Sequence, residues 1–231
     1  MVDENAEHNV SFPSGGGEAF GFLTVPESGE GPGVVVIQEW WGLTTHIAEI
    51  TRRLAAEGFV ALAPDLYGKR TTHDAAEAND LLQQLPVDQA VRDLGGAVDF
   101  LLDLPSVTSS TVGAIGFCMG GAFVLRLAAA QGDRVSAAVP FYGLPGPEVD
   151  WSGVTAAVQG HYGRQDHSID LDAVQQMADT VRKTARGPVE IHVYDAGHAF
   201  YNDENLIGTY DPAAAEQAWG RAVAFLREHV R

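Results

Sequence analysis

Apolar residues along this chain gather in short runs, and the period of those runs keeps switching. Residues 9–12 and 19–25 are two such runs, parted by PSGGG, which predicts a β-hairpin at the start. Residues 33–38 (GVVVIQ) form a continuous β-branched stretch, as expected of a strand covered on both faces. Residues 45–57 then place Ile47, Ile50 and Leu54 on one helical face and stop at Gly58. Strand patterns follow at 59–66, 112–117, 135–142, 156–162 and 189–194. Helical patterns fall between and after them, at 74–85, 88–104, 120–131, 171–186 and 212–229. Val91, Leu94, Val98 and Leu101 mark the buried stripe of the second of these. Pro212 suits a first helical turn.

Strands that alternate with helices imply an α/β fold: a mostly parallel central sheet flanked by helices on both faces, with the N-terminal β-hairpin at its edge. No repeat or low-complexity linker divides the pattern, so residues 1–231 read as one domain. In such sheets the chemistry collects beyond the carboxyl ends of the strands.

Composition narrows the functions such a fold can serve. The formal net charge of −17 disfavours nucleic acid and anionic membranes as partners. The single cysteine forbids an internal disulfide and any cysteine-cluster zinc site, so no metal and no cofactor is expected. The start of the chain, MVDENAEHNV, is acidic without an apolar core, and no run reaches membrane-spanning length. These features point to a cytoplasmic protein, a monomer or small homo-oligomer, with a small molecule as its partner.

Three strand ends carry reactive residues. The strand at 112–117 runs into GAIGFCMGG and then a helix. This is a G-x-C-x-G elbow with sulfur at the nucleophile position. The helix that follows offers a positive dipole and the N–H of Met119, both suited to a thiolate and a developing oxyanion. The bland alternative is a buried structural cysteine in a tight turn. Asp166 is the first acid beyond the strand at 156–162, while Asp170 and Asp172 suit the start of the next helix. His198 follows the strand at 189–194 beside Gly197, the setting of a proton-transfer group. Cys118, Asp166 and His198 stand in the chain order nucleophile, acid, base. A fourth strand end, QEWWG, puts Glu39 one residue past the apolar run; it reads either as an exposed strand tip or as a buried carboxylate in need of partners. The loop at this position commonly supplies a second oxyanion N–H, here that of Trp40.

On VVVIQEWWGL, ALAPDLYG, GAIGFCMGG, FYG, GRQD and AGHAF, in that order, the chain resembles the dienelactone hydrolase (carboxymethylenebutenolidase) family of α/β-hydrolases over nearly its whole length. The resemblance implies an α/β-hydrolase fold and hydrolysis of a lactone or carboxylic ester through a Cys-His-Asp triad and a thioester acyl-enzyme. It implies Cys118 as nucleophile, Asp166 as acid and His198 as base. Glu39 becomes the family's buried glutamate beside the thiol, Trp40 and Met119 the backbone oxyanion donors, and Tyr142 a pocket residue. The chain departs from the family's chlorocatechol-pathway members where arginines clamp the substrate carboxylate: residues 74–85 hold no basic residue, and the position four past His198 is Asn202. Aromatic residues surround the motifs instead. Trp41, Phe117, Phe200 and Tyr201 are therefore expected, with Tyr142 and Asn202, to contact an uncharged or apolar ester, lactone or thioester. The rival reading is a non-enzymatic relative that binds an apolar ligand or senses redox state through Cys118.

Overall fold

A computed structural model of the protein describes residues 8–15, 17–146 and 148–231. Gly16 of the predicted hairpin turn and most of the acidic start, residues 1–7, lie outside the described residues. The hairpin forms from β1 (Val10–Ser14) and β2 (Gly17–Thr24), paired antiparallel with Phe12 opposite Ala19. β2 also pairs antiparallel with β4 (Val60–Pro64). From there the sheet is parallel through β3 (Gly31–Ile37), β5 (Val107–Phe117), β6 (Val135–Phe141), β7 (Ala157–Gly163) and β8 (Val189–Tyr194). The order across the sheet is β1-β2-β4-β3-β5-β6-β7-β8.

The chain leaves β3 for β4 on one side and later returns to β5 on the other. β3 and β5 therefore bound a topological switch point, where a crevice opens at the carboxyl ends. Glu39 follows the first of these strands and Cys118 the second.

The β-branched run in β3 explains why the sheet is covered twice. Val34 and Val36 join a core with Ile47, Ile50 and Leu54 of α1 (Thr45–Ala56) and Trp219 and Phe225 of α6 (Pro212–His229). Val35 and Ile37 join a second core with Leu94 and Val98 of α3 (Val87–Asp103), Val124 and Leu127 of α4 (Met119–Gln131) and Val174 of α5 (Leu171–Val181). All four β3 residues are fully buried. At the ~25 cal/mol gained per Å² of apolar surface removed from water, such two-sided strands dominate the stability of a sheet.

α2 (Ala75–Gln84) is capped by Asp74, whose side chain accepts from the N–H groups of Ala76 and Glu77. Two boundaries differ from the sequence expectation by more than two residues. β5 begins at Val107, five residues before the apolar run, because the polar TSST segment alternates in exposure and is tied in by Ser109 Oγ, which accepts from Gly33 N at 3.1 Å. α5 ends at Val181, where Lys183 and Thr184 close tighter turns onto Thr180 and Val181.

Candidate active site

The elbow after β5 has the geometry its glycines anticipate. Cys118 sits at φ 52°, ψ −116°, a left-handed region that an L-residue holds only when its surroundings enforce it. A Cβ on Gly120 would lie 2.3 Å from the Ile37 carbonyl oxygen, and one on Gly116 would lie 2.5 Å from that of Gly120. Only hydrogen fits at either place. The turn thus packs α4 against β3 and lifts the sulfur into the crevice. Met119 is the first residue of α4, so its N–H belongs to the first-turn group that has no partner within the helix.

Asp166 and His198 reach Cys118 from the ends of β7 and β8. His198 Nε2 lies 3.2 Å from Cys118 Sγ, and His198 Nδ1 lies 2.7 Å from Asp166 Oδ2. The other carboxylate oxygen, Oδ1, accepts from the backbone N–H groups of Ser168 at 2.7 Å and Ile169 at 3.2 Å. Burial opposes the charge on Asp166, but the bond from His198, its positive charge and those two N–H groups prevail, and the carboxyl titrates below its ordinary range. Burial likewise opposes protonation of His198. The hydrogen bonds to Asp166 and Cys118 and the negative charge of both groups outweigh it, and raise its pKa from 6.5 to about 10. The arrangement can therefore keep a proton on the imidazole at neutral pH while the sulfur is its hydrogen-bond partner.

Glu39 is 2% exposed, so of its two sequence readings the buried one holds. Tyr142 Oη donates to its Oε1 at 3.2 Å, and Asn202 Nδ2 donates to its Oε2 at 2.5 Å. Tyr142 itself lies at φ 36°, just past β6, with its ring edge-on to His198 at 5.2 Å between centroids. Burial first, then the charges of Glu39 and Cys118, push its hydroxyl well above the ordinary value, so it remains a donor.

These groups open onto a cavity of about 460 Å³. Glu39, Trp40, Trp41, Cys118, Met119, Tyr142 and His198 all stand on its wall, together with Leu144, Ile169 and Ile207. Phe117, Phe200 and Tyr201 are placed elsewhere than expected. They are buried in the core beneath the site, where Phe117 stacks on Tyr201 at 5.1 Å, because each faces the α1–α6 side of the sheet. Asn202 is also buried, and it meets Glu39 instead of the cavity. Among the described residues no lysine or arginine lines the cavity: Lys69 lies over the Phe20 ring at 5.6 Å, and neither Arg70 nor Arg164 reaches the wall. Among the described residues no cluster of histidine, cysteine and carboxylate side chains is arranged to hold a metal ion, and no helix is long and apolar enough to cross a membrane.

The comparison with known families bears directly on this site. A model of the dienelactone hydrolase family matches residues 20–230. The chain belongs to this family. Within reach of the same match, Protein usf of Aquifex pyrophilus is 34% identical over 229 residues, covering 96% of this chain and 98% of its own. Among solved structures, a dienelactone hydrolase-like promiscuous phosphotriesterase from metagenomic libraries superposes with a TM-score of 0.83 at 31% identity, over 97% of this chain and 98% of its own. The dienelactone hydrolase of Anabaena variabilis shares the fold at 21% identity, with a TM-score of 0.69 over 99% of this chain and 100% of its own. The chain is thus a hydrolase of the dienelactone hydrolase family, and small molecules are the substrates of that family.

One pair in this family member was not visible in the sequence. His46, near the start of α1, holds Asp203 through Nδ1 at 2.8 Å, across 157 positions of chain. The pair borders a second, polar cavity of about 280 Å³ whose wall includes Arg53, Tyr201 and Tyr210. Arg53 Nη1 donates to Tyr201 Oη at 2.6 Å, and its guanidinium lies 4.3 Å over the Trp219 ring.

Proposed function

We propose that the protein hydrolyses an uncharged lactone or carboxylic ester through a thioester acyl-enzyme on Cys118. The observation that carries this reading is the unbroken line Asp166–His198–Cys118, at 2.7 and 3.2 Å, ending in an apolar cavity. Cys118 Sγ attacks the acyl carbon as the thiolate. The oxyanion that forms is met by the N–H groups of Met119 and Trp40. His198 gives its proton to the departing alkoxide, and the C–O bond breaks to leave the thioester. His198 then takes a proton from water, the resulting hydroxide attacks the thioester, and the acid and the thiolate are released. Asp166 holds the imidazole in one tautomer and steadies its charge.

The substrate class follows from the wall. A substrate carboxylate in this cavity would lie near Glu39 with, among the described residues, no guanidinium or ammonium on the wall to meet it. Burying an unpaired charge costs several kcal/mol, so neutral acyl groups are favoured. The phosphotriesterase relative fits the same theme, since a phosphotriester is also an uncharged ester.

The test is hydrolysis of an activated aryl ester of a short fatty acid and of a carboxylate-bearing dienelactone, with Cys118→Ala as control. Turnover of the aryl ester at least ~10³-fold above the control, with weaker turnover of the dienelactone, is expected. An ester rate equal to that of Cys118→Ala would refute the reading.

A further inference from the structure

The turn after β8 grips the back of the site with two consecutive side chains. Asn202 donates to Glu39, and its neighbour Asp203 takes His46. His46 is the second residue of α1, the helix entered from the loop that carries Glu39. Asn202 also ties the turn to itself, since its Oδ1 accepts from Glu204 N at 2.9 Å. Only 6% of the His46 side chain is exposed, against 67% of that of Asp203.

The far side of His46 is unusual. Its Nε2 is buried without a hydrogen-bond partner, and Oε2 of Glu204 is buried with only the His73 ring nearby, at 3.7 Å. Orphaned buried polar atoms of this kind are uncommon and call for a reason. The charged groups near His46 come from every element packed around it. Glu39 comes from the loop after β3, and Asp203 and Glu204 come from the turn after β8. Glu49 and Arg53 lie farther along α1, and His73, ahead of α2, approaches Glu204 at 3.7 Å. Burial opposes a charge on His46, but the bond to Asp203 and the negative charges of Glu39, Asp203 and Glu204 prevail, and its pKa is raised.

We propose that the Asp203–His46 pair is a positioning device for Glu39. His46 anchors Asp203 through Nδ1 and so keeps the adjacent Asn202 on the Glu39 carboxylate, which stays turned to Asn202 and Tyr142 and clear of the Cys118 sulfur. The proposal rests on the reading of Cys118 as the nucleophile. A carboxylate released toward Cys118 would repel the thiolate and compete with its bond to His198. His46 acts at one remove: its hydrogen bond goes to Asp203, and it is the next residue, Asn202, that holds Glu39.

The pair can be tested without any substrate. Cys118 is the sole cysteine, so alkylation by iodoacetamide reports one thiol. His46→Gln and Asp203→Asn should each slow alkylation at neutral pH by about tenfold and move its pH dependence upward by about one unit. Asp203→Asn guards against misfolding, since its side chain is mostly exposed. In a Glu39→Gln background neither change should move the profile further. An unmoved profile in both variants overturns the proposal, as does a loss of rate equal at every pH. An equal shift in the Glu39→Gln background overturns it as well, because the effect would then bypass Glu39. The ester assay stands apart from this measurement. A wild-type protein that turns over no ester yet shows the predicted shifts overturns the hydrolase reading and leaves the pair intact.

Discussion

His198 bonds an acid on one ring nitrogen and a sulfur on the other, and both favour its proton. That has a consequence for folding as well as for chemistry. A histidine whose folded pKa is raised from 6.5 to about 10 stabilises the fold fully below about pH 6.5, and the contribution is lost as pH rises through about 10. Melting temperature should therefore fall across this window, and His198→Gln should flatten that part of the curve in a series of thermal melts. At the same scale, Asp166→Asn keeps the shape of the side chain but gives His198 the wrong partner. Ester turnover should drop by about 10²–10⁴-fold with the fold intact by circular dichroism. The three residues of the line were readable because each stands just past a strand in a local setting of its own. Glu39 was readable only as an oddity, since burial decides its state and burial is not a local property. Phe117 and Tyr201 misled because an aromatic beside a motif residue points to the opposite face as readily as to the cavity. His46 and Asp203 gave no signal at all: their partnership exists only after β8 has been laid four strands from β3 and its turn folded back over α1.

Among the elements, the elbow between β5 and α4 is tightly specified. Gly120 touches the backbone of Ile37 and Gln38, so the glycine couples the Cys118 turn to the end of the strand that leads into Glu39. Gly120→Ala should destabilise the protein by about 1–3 kcal/mol, read from urea unfolding, and should lower ester turnover further than that loss explains, because the sulfur moves with the turn. A fully stable, fully active Gly120→Ala protein would show that the turn has slack. The parallel strands and long helices were legible in the hydrophobic periods, because two-sided burial writes continuous runs into strands and stripes into helices. The first half of β5 was not, since its polar residues pair through Ser109 and through Thr111, whose hydroxyl lies 2.7 Å from that of Ser136. Hydrogen bonding held that stretch in the sheet where hydrophobicity did not.

For the whole molecule, charge is the governing feature. Acidic residues number 31 against 14 lysines and arginines, and most sit outside the buried cores. Self-repulsion of such a surface weakens the compact state, and salt screens it over about 3 Å at 1 M compared with about 10 Å at 0.1 M. Melting temperature should rise by several degrees between 0.1 and 1 M potassium chloride, and a flat response by scanning calorimetry would refute this. The surface charge was fully legible from composition, whereas the meeting of the cavities was not. The turn between β8 and α6 serves as a party wall. Ala199 and Ile207 face the cavity with Cys118, while Tyr201, Asp203 and Tyr210 face the polar one. Lengthening or replacing this one segment would therefore reshape two compartments in a single genetic event. A graft of it between relatives should carry substrate preference and the His46 partnership together, as one inherited cassette.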